Sequence, residues 1–556
     1  MASHGDLADL LASVLPTGAE LIVRHVSSTP APSDALFAAA PGHDSEPTFC
    51  ENHFLTASIE SPQHDGAEIL IFGMEVLIYN TAHLTTIFVS KADSTGLLHL
   101  LELKAKVSVL RLVSGTFLSF LVRSHQRPGV RLVVSLFARA QDQYLFPGSI
   151  ENTEKHVLDD RGLIKWWCRA VDPILRENGA ESVSPGSDIK TSVEAAKASA
   201  TAYLIVPGCD RFETRSFFPA STKTDSANQP RWLTGYPLQQ MCRDPSAPPR
   251  CLVPRFPDDP KTRFLTDLDD ELPDSANDQA ESADAGHWKS IKSLDQFWEM
   301  MAFRQECSAG RLVGFLWIVV NPPGLLNSTT MASRAAQGSS LSSAASGKQA
   351  CNDEPAVSAG DKSLVRDQVS ADPQNSTRLS EDEAGNDRKD SHVARVDVSK
   401  NPSTTPSTLP SSSESVPFHW PEAGRGEVVL HEADYKKMMD GVLDQFYDSD
   451  EVIASTKSYI EQVASLADQL TWGKRVTGTC SPRAQDTVSA TAQNLLGGEF
   501  IRKRKKSEHE MDGKDDDEAN ATEQSHTTAA SLKTDQPSAV NVLSAGLVRK
   551  KKKALP

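Results

Sequence analysis

The stretch richest in reactive side chains is Phe256-Pro257-Asp258-Asp259-Pro260-Lys261-Thr262-Arg263-Phe264-Leu265. Two adjacent carboxylates stand between two prolines, and a lysine and an arginine follow. Each proline fixes its own φ and pushes the residue before it away from helix, which predicts Asp258 and Asp259 on a stiff, non-helical segment. Carboxylates held that way can take a proton from an amine or orient an incoming cation. Lys261 and Arg263 can meet a phosphate or pair with the aspartates. The plainer alternative is an acidic surface turn with local ion pairs, since Pro-Asp turns are common. A third acid, Asp93 in Ser90-Lys91-Ala92-Asp93, ends a β-branched apolar run. Trp232, in Pro230-Arg231-Trp232-Leu233-Thr234-Gly235, reads as a loop residue. An aromatic ring in a loop is usually packing, and is also a common wall for a ligand.

The elements that must hold these residues follow from periodicity. Residues 6–15 have helical spacing and end near Pro16. Leu21-Ile22-Val23, Ile69 to Phe72, Val76 to Tyr79, Thr85 to Val89, Val130 to Phe137, Ala202 to Val206 and Leu312 to Val320 read as strands, Val130 to Phe137 being central. Phe117 to Val122 fits helix or strand. Residues 155–177 make an amphipathic helix through Leu163, Trp166, Trp167, Val171, Ile174 and Leu175. On it, Cys168 reads as a small buried residue and His156, at its start, as a surface or capping residue. Ser293 with Gln296 forms a capping-box signature for a further helix, and two more run from Tyr435 to Phe446 and from Val452 to Leu470. The mixture predicts an α/β (α+β) fold with a central mixed sheet flanked by helices.

The chain has 556 residues, a formal net charge of −17 and a pI near 5.4. That balance excludes a general binder of nucleic acid and suits a basic partner. Its eight cysteines are scattered with no CxxC pair, which argues against a disulfide framework or a structural zinc finger and points to a reducing compartment. No basic leader opens the sequence, and the most apolar run, Leu312 to Val320, is too short to span a bilayer. Several segments are too polar to offset their chain entropy by burial: a linker at 181–198, an acidic loop at 267–286, an insert at 326–415 and a tail at 476–556. The tail carries basic runs at 502–506 and 549–553; the first has the form of a nuclear import signal.

Walker A, GxGxxG, HExxH and GxSxG patterns are all missing, which removes the commonest phosphate-binding, zinc-protease and serine-hydrolase readings. Tyr144-Leu145-Phe146-Pro147-Gly148-Ser149, Lys155 to Asp160, Lys165-Trp166-Trp167, the Trp232 segment, Phe256 to Leu265 and Ser293 to Arg311 together resemble the fungal chaperone-dependent histone acetyltransferases. The resemblance covers about residues 1–325 as the first part of a catalytic domain and resumes over 416–475 as its helical C-terminal part. Leu97 to Leu112 departs from it.

The resemblance implies a CBP-like acetyltransferase fold. It implies transfer of acetyl from acetyl-CoA to a lysine of newly made core histones (histone three of the three/four dimer), presented by a histone chaperone in the nucleus during replication-coupled chromatin assembly and the DNA damage response. No metal is expected, and neither a membrane nor a sequence-specific nucleic acid is expected as partner. By motif, Asp93, Trp232, Asp258 and Asp259 become the catalytic candidates, and Lys261 and Arg263 the candidates to meet coenzyme A. Lys261 is also the residue that the family acetylates on itself. The competing expectation is a non-catalytic scaffold that binds histones and chaperones.

Overall fold

A computed structural model of the chain describes residues 5–103, 107–180, 198–272, 286–304, 307, 310–327 and 418–481. Residues 328–415 of the expected insert, both basic runs and nearly all of the linker and tail lie outside the described residues. So does 273–285 of the acidic loop, whereas Asp267 to Asp269 form the end of a helix.

Eleven strands make one mixed sheet. They are β1 (Glu20–Ser28), β2 (Ala31–Ser33), β3 (Thr48–Ser61), β4 (Ala67–Asn80), β5 (Leu84–Ser94), β6 (Arg131–Arg139), β7 (Ser199–Ile205), β8 (Trp232–Thr234), β9 (Val313–Asn321), β10 (Val428–Leu430) and β11 (Lys474–Thr477). Their spatial order is β10-β1-β3-β4-β5-β6-β9-β7-β8, with β11 on β1 and β2 on β3. β5 and β6 run parallel and are joined by helix α1 (Val109–His125), the crossover that parallel neighbours require. Helix α2 (Asp160–Glu177), helix α3 (Pro260–Asp269), helix α4 (Leu294–Met301), helix α5 (Glu432–Leu443) and helix α6 (Val452–Leu466) cover the faces. An additional helix, Leu7–Val14, precedes β1.

The side-chain period of two along a strand sorts residues between two layers. On β9, Leu316, Ile318 and Val320 join the core formed with α1, α2, α5 and α6. Val313, Phe315, Trp317 and Val319 join a second core with α3 and α4. β9 therefore reads as a continuous apolar run, because both of its faces are buried.

Four readings of the sequence change. Ile69 to Tyr79 is one strand rather than two. Gly73 interrupts its apolar pattern because Phe146 packs there; an added Cβ would lie 2.8 Å from the ring. Phe117 to Val122 is helix. Trp232 sits on a short edge strand parallel to β7, not in a loop. The strand β3, paired along its whole length with β4, has no counterpart in the sequence reading.

Candidate active site

The PDDPK stretch is not uniformly extended: it opens α3. Pro260 takes the first helical position, where its missing N–H costs nothing, and Asp259 is the N-cap, its Oδ1 accepting from Lys261 N at 2.9 Å. The turn into this cap places Asp258 at φ +58°, a left-handed conformation that aspartate tolerates better than most residues. The two acids therefore diverge. Asp259 points inward and pairs with the buried Lys261 ammonium. Lys261 lies over the Phe315 ring at 4.5 Å and the Phe256 ring at 5.8 Å. Burial lowers the Lys261 pKa below the ordinary lysine value, and Asp259 opposes that shift. Asp258 points outward, its side chain 67 % exposed, and reaches Lys91 Nζ at 3.0 Å. Lys91 also meets Glu75 Oε2 at 3.1 Å. Burial disfavours the Lys91 charge, but Glu75 and Asp258 outweigh it and raise its pKa.

Asp93, at the end of β5, is fully engaged. Its Oδ2 accepts from the N–H groups of Tyr144, Leu145 and Phe146 at 2.7, 3.0 and 3.3 Å. Its Oδ1 accepts from Ser94 N at 2.8 Å and Lys155 Nζ at 3.0 Å. A carboxylate has about four lone-pair sites, and five donors leave it none for a substrate proton. Asp93 is the anchor of the 144–146 loop.

That loop forms one wall of a cavity of about 390 Å³ lined by Lys91, Asp93, Phe137, Tyr144, His156, Trp166 and Trp167, among others. A wider cleft of about 1000 Å³ adjoins it, sharing Arg139 to Asp142, Val157 and Leu158, and carries Arg139, Arg263 and Arg311. The narrow cavity is largely apolar with a cation–carboxylate network at its edge. The wide one is polar, with three guanidinium groups and the carboxylates of Asp142, Asp159 and Asp160.

Of the candidates drawn from sequence, Asp93 and Arg263 line these spaces, and Asp258 touches their lining residue Lys91. Asp259 and Lys261 sit beneath as a buried pair. Trp232 is not brought to either cavity. It is buried at the sheet edge, 5.4 Å from the Phe218 ring, and its indole N–H donates to Asp172 at 2.9 Å. The tryptophans that do line the cavity, Trp166 and Trp167, read from sequence only as a helix face. His156 is exposed, as the sequence reading has it, and also lines the cavity, ahead of α2, which starts at Asp160. The Tyr144 hydroxyl donates to Arg139 O at 2.7 Å, and burial pushes its pKa up, so it stays a neutral donor.

Comparison with known proteins decides what this arrangement belongs to. The family model for the histone acetyltransferase KAT11-type domain matches residues 7–130 and 127–462. The chain belongs to the KAT11-type histone acetyltransferase family. It is 53% identical over 565 residues to the histone acetyltransferase rtt109 of Aspergillus flavus, covering 99% of both chains. It is 31% identical over 309 residues to the rtt109 of Schizosaccharomyces pombe, covering 56% of this chain and 70% of the other. The crystal structure of Rtt109 from Aspergillus fumigatus superposes with a TM-score of 0.67 at 53% identity, covering 86% of this chain and all of that one. This KAT11-type acetyltransferase is therefore an enzyme, and the scaffold alternative loses its ground. The sheet with two helical layers is the fold of that solved relative, as the sequence predicted.

Proposed function

We propose that the paired cavities are the active site, in which acetyl-CoA donates acetyl to a histone lysine. The carrying observation is the junction of the polar, arginine-bearing cleft with the apolar cavity. Arg139, Arg263 and Arg311 suit the phosphates of the coenzyme, and the apolar walls suit its pantetheine arm and the stem of the lysine. Acetyl-CoA supplies the thioester; the chain supplies position and charge.

The substrate lysine arrives mostly as ammonium and must lose a proton before it attacks. Asp258 is the exposed carboxylate at the rim and draws that cation in. It is already paired with Lys91, and its role is orientation. His156 lines the cavity and offers an imidazole nitrogen that can accept the proton. The neighbouring aromatic faces of Trp166 and Trp167 guide the aliphatic stem and attract the charged head.

Lys261 is the proposed site of self-acetylation. Its lowered pKa enriches the neutral amine that acyl transfer needs. Acetylation ends the ion pair with Asp259 and leaves that carboxylate to cap α3 alone. Chaperone-presented core histones, including histone three, a nuclear location driven by the 502–506 run, and roles in replication-coupled assembly and the DNA damage response complete the proposal. They rest on the family resemblance.

The test incubates the purified chain with labelled acetyl-CoA and core histones, with and without a histone chaperone. Chaperone-stimulated labelling that the Asp258→Asn variant loses at low histone concentration, and recovers at high, supports the reading. Undiminished labelling in Asp258→Asn at every concentration, or equal labelling without the chaperone, overturns the corresponding part.

A further inference from the structure

Away from the proposed active site, three elements bring imidazoles and a carboxylate together in the interior. Glu51 and His53 come from β3, His25 from β1, and His125 from the last turn of α1. Glu51, His53 and His125 are 1 %, 0 % and 0 % exposed. His125 Nε2 lies 3.0 Å from Glu51 Oε1, and His53 Nε2 lies 3.8 Å from Glu51 Oε2. One ligand atom from each of the three residues falls within 4.8 Å of the others. Yet Glu51 Oε1, His53 Nε2 and His125 Nε2 have no hydrogen-bond partner.

The backs of the two rings are committed. His125 Nδ1 is 2.9 Å from Leu121 O, and a carbonyl only accepts, so Nδ1 carries the hydrogen. In the neutral ring Nε2 then presents a lone pair to the carboxylate. His53 Nδ1 is 3.0 Å from His25 Nε2, and the tautomer sets which of them donates; with the hydrogen on His53 Nδ1, His53 Nε2 is a second lone pair. In that tautomer three buried acceptors face one point. Acceptors that converge without a donor repel unless a cation sits among them. A proton on one imidazole would serve one contact and orphan the other. A single metal ion serves all three, and the outward N–H bonds to Leu121 O and His25 are the supporting bonds that metal-binding histidines make.

We infer that Glu51, His53 and His125 bind a divalent transition metal, with zinc the best match to a His₂Glu donor set. Tetrahedral ligands at about 2.1 Å from zinc stand about 3.4 Å apart, so the observed spacings need only small side-chain shifts. The role is structural rather than catalytic. The site is closed by backbone: an added Cβ at Gly424 would lie 2.4 Å from His125 Cε1. His419, with its own Nε2 unpartnered, stacks edge-on at 6.5 Å from His125. The ion thus pins β3 and α1 at the place where residues 418–426 return to the sheet. The inference departs from the expectation of no metal, which rested on cysteine spacing and resemblance and weighed no histidine–carboxylate set.

The experiment measures metal content of the full-length, untagged chain by elemental mass spectrometry, beside His53→Gln. The wild-type chain is expected to carry one equivalent of zinc, lose thermal stability on chelation and regain it with zinc, since an ion that binds only the folded state stabilises it. His53→Gln is expected to lose the metal and the response together. Should that variant not fold, cobalt added to the chelated wild-type chain decides: visible bands of a four-coordinate nitrogen–oxygen site support the inference. Thiolate charge-transfer bands, undiminished metal in a folded His53→Gln, or a wild-type chain that neither holds metal nor responds to it would overturn it.

Discussion

At the scale of single residues, the carboxylates divide by their partners rather than by their sequence. Asp258 and Asp259 are neighbours, yet one faces solvent and the other is locked to a buried lysine. Asp93 carries five donors and Asp258 meets a single lysine. This predicts separable phenotypes. Asp93→Ala strands Lys155 beside Ser149 Oγ and unties the 144–146 loop, so unfolding measurements should show a loss of about 3–5 kcal/mol. Asp258→Asn should change stability by less than about 1 kcal/mol, as exposed pairs do, while raising KM for histone. His156→Phe should instead lower kcat by about 10²-fold or more with KM little changed, the mark of a lost proton acceptor. Equal kcat in His156→Phe would return the proton to solvent. The sequence made the acids legible through their proline frame. It hid Trp166 and Trp167, because a residue facing a cavity and a residue facing a core carry the same helical spacing, and it hid the cavity role of His156, which stands ahead of α2 with no periodic signal.

At the scale of elements, α3 is built around a pair that stabilises only as a pair. Asp259 caps the helix and neutralises Lys261, and removing one partner leaves a buried charge. Asp259→Ala should therefore cost about 3–5 kcal/mol beyond the cap itself, whereas Asp259→Ala with Lys261→Met should recover most of it. Denaturant titration of the four corners of this cycle gives the coupling directly; additive corners would refute it. The pH dependence has a definite sign. The folded-state pKa of Lys261 is lowered, so between it and the unfolded value of about 10.4 the unfolded chain holds the extra proton. Stability should rise with pH across that window in the wild-type chain relative to Lys261→Met. Sequence period predicted most strands because their inward residues are apolar. β3 escaped for the opposite reason: Glu51, Asn52 and His53 break its pattern, and Glu51 and His53 are the very residues that the interior uses.

At the scale of the whole molecule, the chain returns after a long excursion to finish its sheet. β10 pairs parallel with β1, joining Val26 to Val428, and β11 pairs antiparallel with it. Thr456 Oγ1 accepts from Leu70 N at 3.0 Å, and Asn152 Nδ2 donates to Tyr447 O at 2.8 Å. Tyr435, Met438, Val442, Tyr459 and Val463 are buried in the same core as α1. The helical spacing of 435–470 was visible in sequence, but no local pattern encodes pairing across four hundred residues. Residues 418–481 are thus part of the same sheet and hydrophobic core, not an appendage. A chain ended at residue 327 should fail to fold, because it exposes the apolar faces that α5 and α6 cover. A chain with an engineered protease site between residues 328 and 417 makes the sharper test. After folding and cleavage, the two pieces should co-elute on size exclusion and keep acetylating histones, since the strand pairing and the shared core hold them without the connecting peptide. Pieces that separate without denaturant would mean that the covalent link, rather than the core, keeps β10 and β11 on the sheet.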